Sequence, residues 1–117
     1  MLEATHIHKS AEMDNYEQGC VGGGQDFTIP HTISADTAEN AARQLCEFAG
    51  ASFVPDNYEL NSCGEPGRID VFTTENGDGT EPNGREIEEW KRGERQLFYC
   101  TYTAYVQQVT RETVELV

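Results

Sequence analysis

Three features of this 117-residue chain predict one α+β domain over residues 1–117, a mostly antiparallel sheet of four to five strands with one main helix packed on one face. An alanine-rich stretch at 37–49 repeats its apolar residues at helical spacing. A long run at 96–109 alternates with the period of a strand. The single clear helix is also followed by several strand-like segments separated by turn signals, an order that lays a helix across a sheet.

Taken in order, residues 2–9 place Leu2, Ala4, His6 and His8 on one side and Glu3, Thr5, Ile7 and Lys9 on the other, which predicts a strand near a sheet edge. Residues 10–25 are acidic and then glycine-rich (Gly19, Gly22, Gly23, Gly24) and read as a long loop or a loose hairpin. Phe27, Ile29 and Ile33 mark a second extended stretch, which Pro30 disfavours at a central sheet position. For the helix, Asp36 serves as N-cap with Glu39 three residues on, Ala38, Ala41, Ala42, Leu45, Phe48 and Ala49 form the apolar stripe, and Gly50 ends it.

Segments 58–62 and 68–74 read as strands joined by a turn at 63–67. Residues 75–84 (ENGDGTEPNG) read as a loop because turn residues crowd them. Residues 85–92 predict one or two helical turns with Ile87 and Trp90 on one side and Gly93 as the stop, the mixed charges of 85–95 serving as salt bridges at a rim or pairing Glu88 with Arg92 at i, i+4 on a solvated helix. In 96–109, Phe98, Cys100, Tyr102, Ala104 and Val106 line one face, opposite Leu97, Tyr99, Thr101, Thr103, Tyr105 and Gln107. Residues 114–117 add a short terminal strand.

Leu, Ile, Val and Phe total only 22 residues, and the formal net charge is −13, a composition near the border of disorder. The 11 aromatic residues and the regular apolar periodicity place the chain on the folded side, with a modest core. The charge is unevenly laid. Residues 10–67 hold ten acids and the single base Arg43, residues 68–95 hold eight acids and five bases, and the last 22 residues carry only Arg111, Glu112 and Glu115. Such an acidic face opposes nucleic acid and anionic membrane, both polyanions, and selects positively charged partners. Its plainest alternative role is solubility.

Neither a basic start nor an apolar h-region opens the chain, so the sequence predicts a cytoplasmic protein without a leader or membrane span. The cysteines at 20, 46, 63 and 100 follow no paired spacing and read as reduced thiols. No metal or cofactor is called for. His6 and His8 form at most a two-point site, and the loop at 74–85 lacks the first and last carboxylates of a calcium loop. Gly22–Gly24 lacks the Lys-Ser/Thr ending of a phosphate loop. Cys46 borders the apolar face of the helix, where a buried thiol is inert, so no catalytic residue is assigned.

The candidate binding residues are therefore the carboxylates Glu12, Asp14, Glu17, Asp26, Glu86, Glu88 and Glu89, with Trp90, Tyr99 and Tyr105 as aromatic anchors. Tyr16 and Tyr58 are further aromatics of the same kind. Acids two apart in an extended chain, such as Glu12 and Asp14, stand about 6.6 Å apart, comparable to successive phosphates along a nucleic-acid strand.

In its length, its acidic 10–67 stretch, its one alanine-rich helix (TAENAARQLCEFAG) and its strand-rich C-terminal half, the chain resembles the small acidic anti-CRISPR-type proteins that phages encode against bacterial defence. The resemblance covers the whole chain, is one of type rather than motif, and transfers no functional residue. It implies a non-enzymatic inhibitor in the host cytoplasm. Such an inhibitor occupies a basic protein surface, such as the nucleic-acid channel of a CRISPR surveillance complex, by charge mimicry. The alternatives are a phage or mobile-element accessory module that self-associates and, third, a small hydrolase or metal-binding enzyme.

Overall fold

The computed structural model describes residues 1–50, 58–61 and 67–109. They form a five-stranded antiparallel sheet of β1 (Leu2–Asn15), β2 (Gly19–Ala35), β3 (Tyr58–Asn61), β4 (Gly67–Asn76) and β5 (Leu97–Gln108), in the spatial order β2-β1-β5-β4-β3. Helix α1 (Ala38–Ala49) crosses one face, and a shorter α2 (Gly84–Lys91) precedes β5. The α+β class and the helix on one face agree with the sequence. The turn expected at 63–67 falls mostly outside the described residues, and the strand at 114–117 and Cys63 lie wholly outside them.

Of the two readings of 10–25, a long loop or a loose hairpin, the hairpin holds: the segment is the far half of a long β1–β2 hairpin. Strand β1 runs on to Asn15, whose side-chain oxygen accepts hydrogen bonds from the Glu17 and Gln18 amides (2.9 and 3.3 Å) and closes the turn into Gly19. The glycines that resemble loop punctuation serve bulges: pairing slips between Ala11 and Met13 and again before Asp14, with Gly19 and Gly22 at positive φ. At Gly24 a Cβ would stand 1.8 Å from the Ala11 carbonyl oxygen, so only glycine lets the two backbones approach this closely. Pro30 sits on the outermost strand, as its missing N–H requires.

A second irregularity corrects the faces expected for residues 2–9. Between Glu3 and His8, β1 has one more residue than the facing stretch of β5, so strict alternation breaks and Ala4 and Ile7 both turn toward α1. The core beneath α1 comprises these two with Ile33, Ile69, Val71, Tyr102, Ala104 and Val106, against Ala41, Ala42, Leu45 and Cys46 of the helix. Burial of a side chain such as Leu45 contributes about 2 kcal/mol.

The N-cap of α1 is Thr37, not Asp36. The Thr37 hydroxyl accepts the Asn40 amide at 3.2 Å, and Asp36 instead holds the Asn40 side chain at 2.7 Å, so the Asp36/Glu39 capping box does not form. Glu39 faces Arg43 (3.8 Å). Gly50, in the left-handed region, ends the helix as expected. Gln44 returns to the sheet and pairs with both the N–H and the C=O of Ser34 (3.2 and 2.7 Å), sealing this stretch of the β2 edge. Strand β4 extends through Glu75 and Asn76, both buried, which shortens the expected 75–84 loop. A capping box does occur at α2, between Asn83 and Glu86.

Candidate functional site

Register decides which carboxylates share a surface. Ser10 lies opposite Asp26 on β2 and Thr101 on β5, Glu12 opposite Tyr99, and Asp14 opposite Leu97 and Cys20. Glu12, Asp14 and Asp26 therefore point away from α1, on the same side as Tyr99, and Glu17 is exposed in the turn beyond them. None of these four has an ion-pair partner among the described residues. The one base on the hairpin, Lys9, points to the opposite side, where its ammonium is 3.0 Å from Glu75. The exposed Cys20 registers the local field. Its thiol is raised above its usual value by desolvation and then by the charges of Asp14 and Glu12.

The acids of α2 are arranged differently. Glu86 and Glu89 each meet Arg95 at 3.0 Å, Glu89 also meets Arg85 at 3.3 Å, and Glu88 faces Lys91 at 3.5 Å. The expected Glu88–Arg92 pair does not form, because Arg92 turns to Glu94 (3.2 Å). Glu86 also accepts the Asn83 amide at 3.1 Å.

The aromatic candidates separate. Trp90 is fixed against the hairpin: its indole N–H donates to the Asp14 carbonyl at 2.7 Å, and its ring meets Tyr16 at 5.1 Å and 75°. Tyr99 stacks on Phe72 at 5.8 Å. Tyr105 is half exposed with the Arg68 guanidinium 6.0 Å above it, and it lies eight residues along β5 from Leu97, about 26 Å from the acidic end. Tyr58 is described only as β3 backbone. The structure thus brings Glu12, Asp14 and Trp90 together at the far end of the hairpin, close to the turn that carries Glu17. It leaves Tyr105 apart.

A polar network on the α1 side escaped the sequence. The Glu75 carboxylate accepts from Lys9, from the Thr73 hydroxyl at 2.6 Å and from the Tyr102 hydroxyl at 2.7 Å, while Lys9 also lies 4.9 Å from the Tyr102 ring centre. Burial opposes both charges. The hydrogen bonds outweigh it, holding Glu75 below and Lys9 above their ordinary values. Burial, and then the Glu75 charge, push the Cys100 thiol up to about 11; burial also takes the Tyr102 phenol to about 12. The three described thiols, Cys20, Cys46 and Cys100, are all raised and so held protonated at neutral pH. Above this network is an open cleft of about 380 Å³ lined by Lys9, Ala11, Phe27, Phe98 and Cys100 among others. The one available sequence signal was Lys9 itself, the only base before Arg43.

Among the described residues, no three His, Cys, Asp or Glu side chains are grouped to hold a metal ion. His6 bonds Thr5 (2.9 Å) and His8 bonds Thr28 (3.3 Å). No described helix is long and apolar enough to cross a membrane.

These features define a class: a single α+β domain with a helix on one sheet face and, on the other, the hairpin acids Glu12, Asp14 and Asp26, which have no ion-pair partner among the described residues. The chain matches no protein-family model, no curated protein and no solved structure.

Proposed function

We propose that this is a non-enzymatic acidic binding protein that inhibits a bacterial defence complex in the anti-CRISPR manner, by placing its hairpin on a basic nucleic-acid-binding surface. The observation that carries this reading is the contrast in pairing: Glu12, Asp14, Glu17 and Asp26 have no ion-pair partner among the described residues, whereas the α2 acids do. Carboxylates along an extended strand repeat at about 6.6 Å, a spacing a phosphate-binding channel can accept. A charge-driven contact of this kind accelerates association and weakens with salt.

The test is target-DNA binding by DNA-targeting surveillance complexes, measured with and without the protein. Loss of DNA binding at stoichiometric protein is expected, relieved by salt and abolished when Glu12, Asp14 and Glu17 are changed to Lys. No inhibition of any complex, or inhibition that withstands about 0.5 M salt and the triple reversal, contradicts the proposal.

A second reading, a self-associating accessory module, rests on the outer edge of β2. That strand of 17 residues carries Asp26 as its only acid and has neither Lys nor Arg to blunt pairing with another chain. Sedimentation as a monomer up to millimolar concentration would remove it.

A further inference from the structure

We propose that the corner formed by Tyr16 and Trp90 is a recognition pocket for an arginine side chain of the basic partner, an inference that rests on the binding reading above and names its anchor. A cleft of about 280 Å³ opens between the hairpin turn and the end of α2, lined by Asp14, Asn15, Tyr16, Trp90, Glu94 and Arg95 among others. That volume lies just below the range of small-molecule sites and suits one inserted side chain. Two aromatic rings meet there at 75° with centres 5.1 Å apart, giving the cleft two walls.

The walls are set before any ligand arrives. The indole N–H is bound to the Asp14 carbonyl at 2.7 Å, so Trp90 cannot swing away without breaking a bond across 76 residues of chain. Tyr16 is half exposed, held by the turn that Asn15 closes. A cation over an indole or phenol face is attracted by the ring quadrupole, and Trp is the strongest such partner.

The charge of the cleft points the same way. Its own cation, Arg95, is committed to Glu86, Glu89 and Asn76, all within 3.2 Å, and adds little uncompensated positive charge. Asp14 has no such partner among the described residues, and Glu12 and Glu17 are its neighbours along the hairpin. A planar guanidinium combines ring stacking with a forked bond to a carboxylate, which a compact, strongly hydrated ammonium does not. The site therefore prefers arginine to lysine.

Trp90 is the only tryptophan, so its emission reports this cleft alone. The full chain is titrated with an oligo-arginine peptide and an oligo-lysine peptide of equal length, at about 0.15 M salt. Oligo-arginine should quench or shift Trp90 emission saturably and bind more tightly than oligo-lysine. Tyr16→Leu, an exposed change whose folding is checked by circular dichroism, should weaken oligo-arginine roughly two- to five-fold and erase the preference. Equal affinities for the two peptides, or a preference untouched by Tyr16→Leu, would overturn the arginine pocket. The broader reading fails separately. If Glu12→Lys with Glu17→Lys abolishes both peptides while Tyr16→Leu changes nothing, the acidic hairpin stands and the pocket falls. An arginine-selective Trp90 response in a protein that inhibits no surveillance complex has the reverse meaning.

Discussion

The hairpin's Glu12, Asp14, Glu17 and Asp26 and α2's Glu86, Glu88 and Glu89 are used in opposite ways. On α2 the bases Arg85 and Lys91 are interleaved with Glu86, Glu88 and Glu89, Arg95 returns from beyond its end, and each carboxylate meets a cation within 3.5 Å. On the hairpin, Glu12, Asp14, Glu17 and Asp26 share one base, and the strand period sends Lys9 to the opposite face. Net charge is thus a poor guide to negative surface. The α2 charges are matched by bases beside them, and the four hairpin acids have no ion-pair partner among the described residues.

The most deeply paired acid, Glu75, should show the strongest loss on substitution. Glu75→Ala leaves Lys9 without its carboxylate and Tyr102 and Thr73 without an acceptor, and should cost about 3 kcal/mol in denaturant unfolding. The same group sets a pH dependence. Because Glu75 is held below its ordinary value of 4.5, its contribution is present above that pH and is lost as pH falls through the lowered value. Lys9 and Tyr102 are raised, so their contributions hold below about pH 10 and fade as pH climbs further. Thermal unfolding against pH should show both limbs, and Glu75→Gln should flatten the acid one.

Next in size, Glu86→Ala removes a capping-box side chain and a partly buried partner of Arg95, a loss of about 1–2 kcal/mol by the same assay. The smallest effect has the opposite sign. Glu12→Gln or Glu17→Gln relieves repulsion within an acidic surface and should raise stability by a few tenths of a kcal/mol, more at low salt. If the hairpin variants lose stability as Glu86→Ala does, the two regions carry their acids in the same way.

Helix α1 and strand β5 were readable because each buries one continuous face: Ala41, Ala42 and Leu45 keep the helical period, and Cys100, Tyr102, Ala104 and Val106 keep the strand period. What was hidden depended on neighbours. Glycines at 19, 22 and 24 signal a loop by composition, and only pairing with β1 turns them into bulges and a close approach. The extra residue in β1 between Glu3 and His8 reverses the expected face of Ile7, a shift no alternation rule contains. Glu75 sat among turn residues, and its Lys9 partner is 66 positions away. Of the site, helical spacing pointed to a Glu88–Arg92 pair, whereas Arg85–Glu89 and Glu88–Lys91 form instead, and the return of Arg95 and the docking of Trp90 on Asp14 are tertiary.

Whether the hairpin acids, and not the α2 acids, face the partner is read from affinity for an oligo-arginine peptide across a salt series. Three proteins are compared: wild type, Glu12/Asp14/Glu17→Lys, and Glu86/Glu88/Glu89→Gln confirmed as folded. A hairpin face toward the partner gives a loss of at least about a hundredfold and a collapsed salt slope for the hairpin variant, with less than about a threefold change for the α2 variant. Equal losses in both, or a larger loss in the α2 variant, would contradict it.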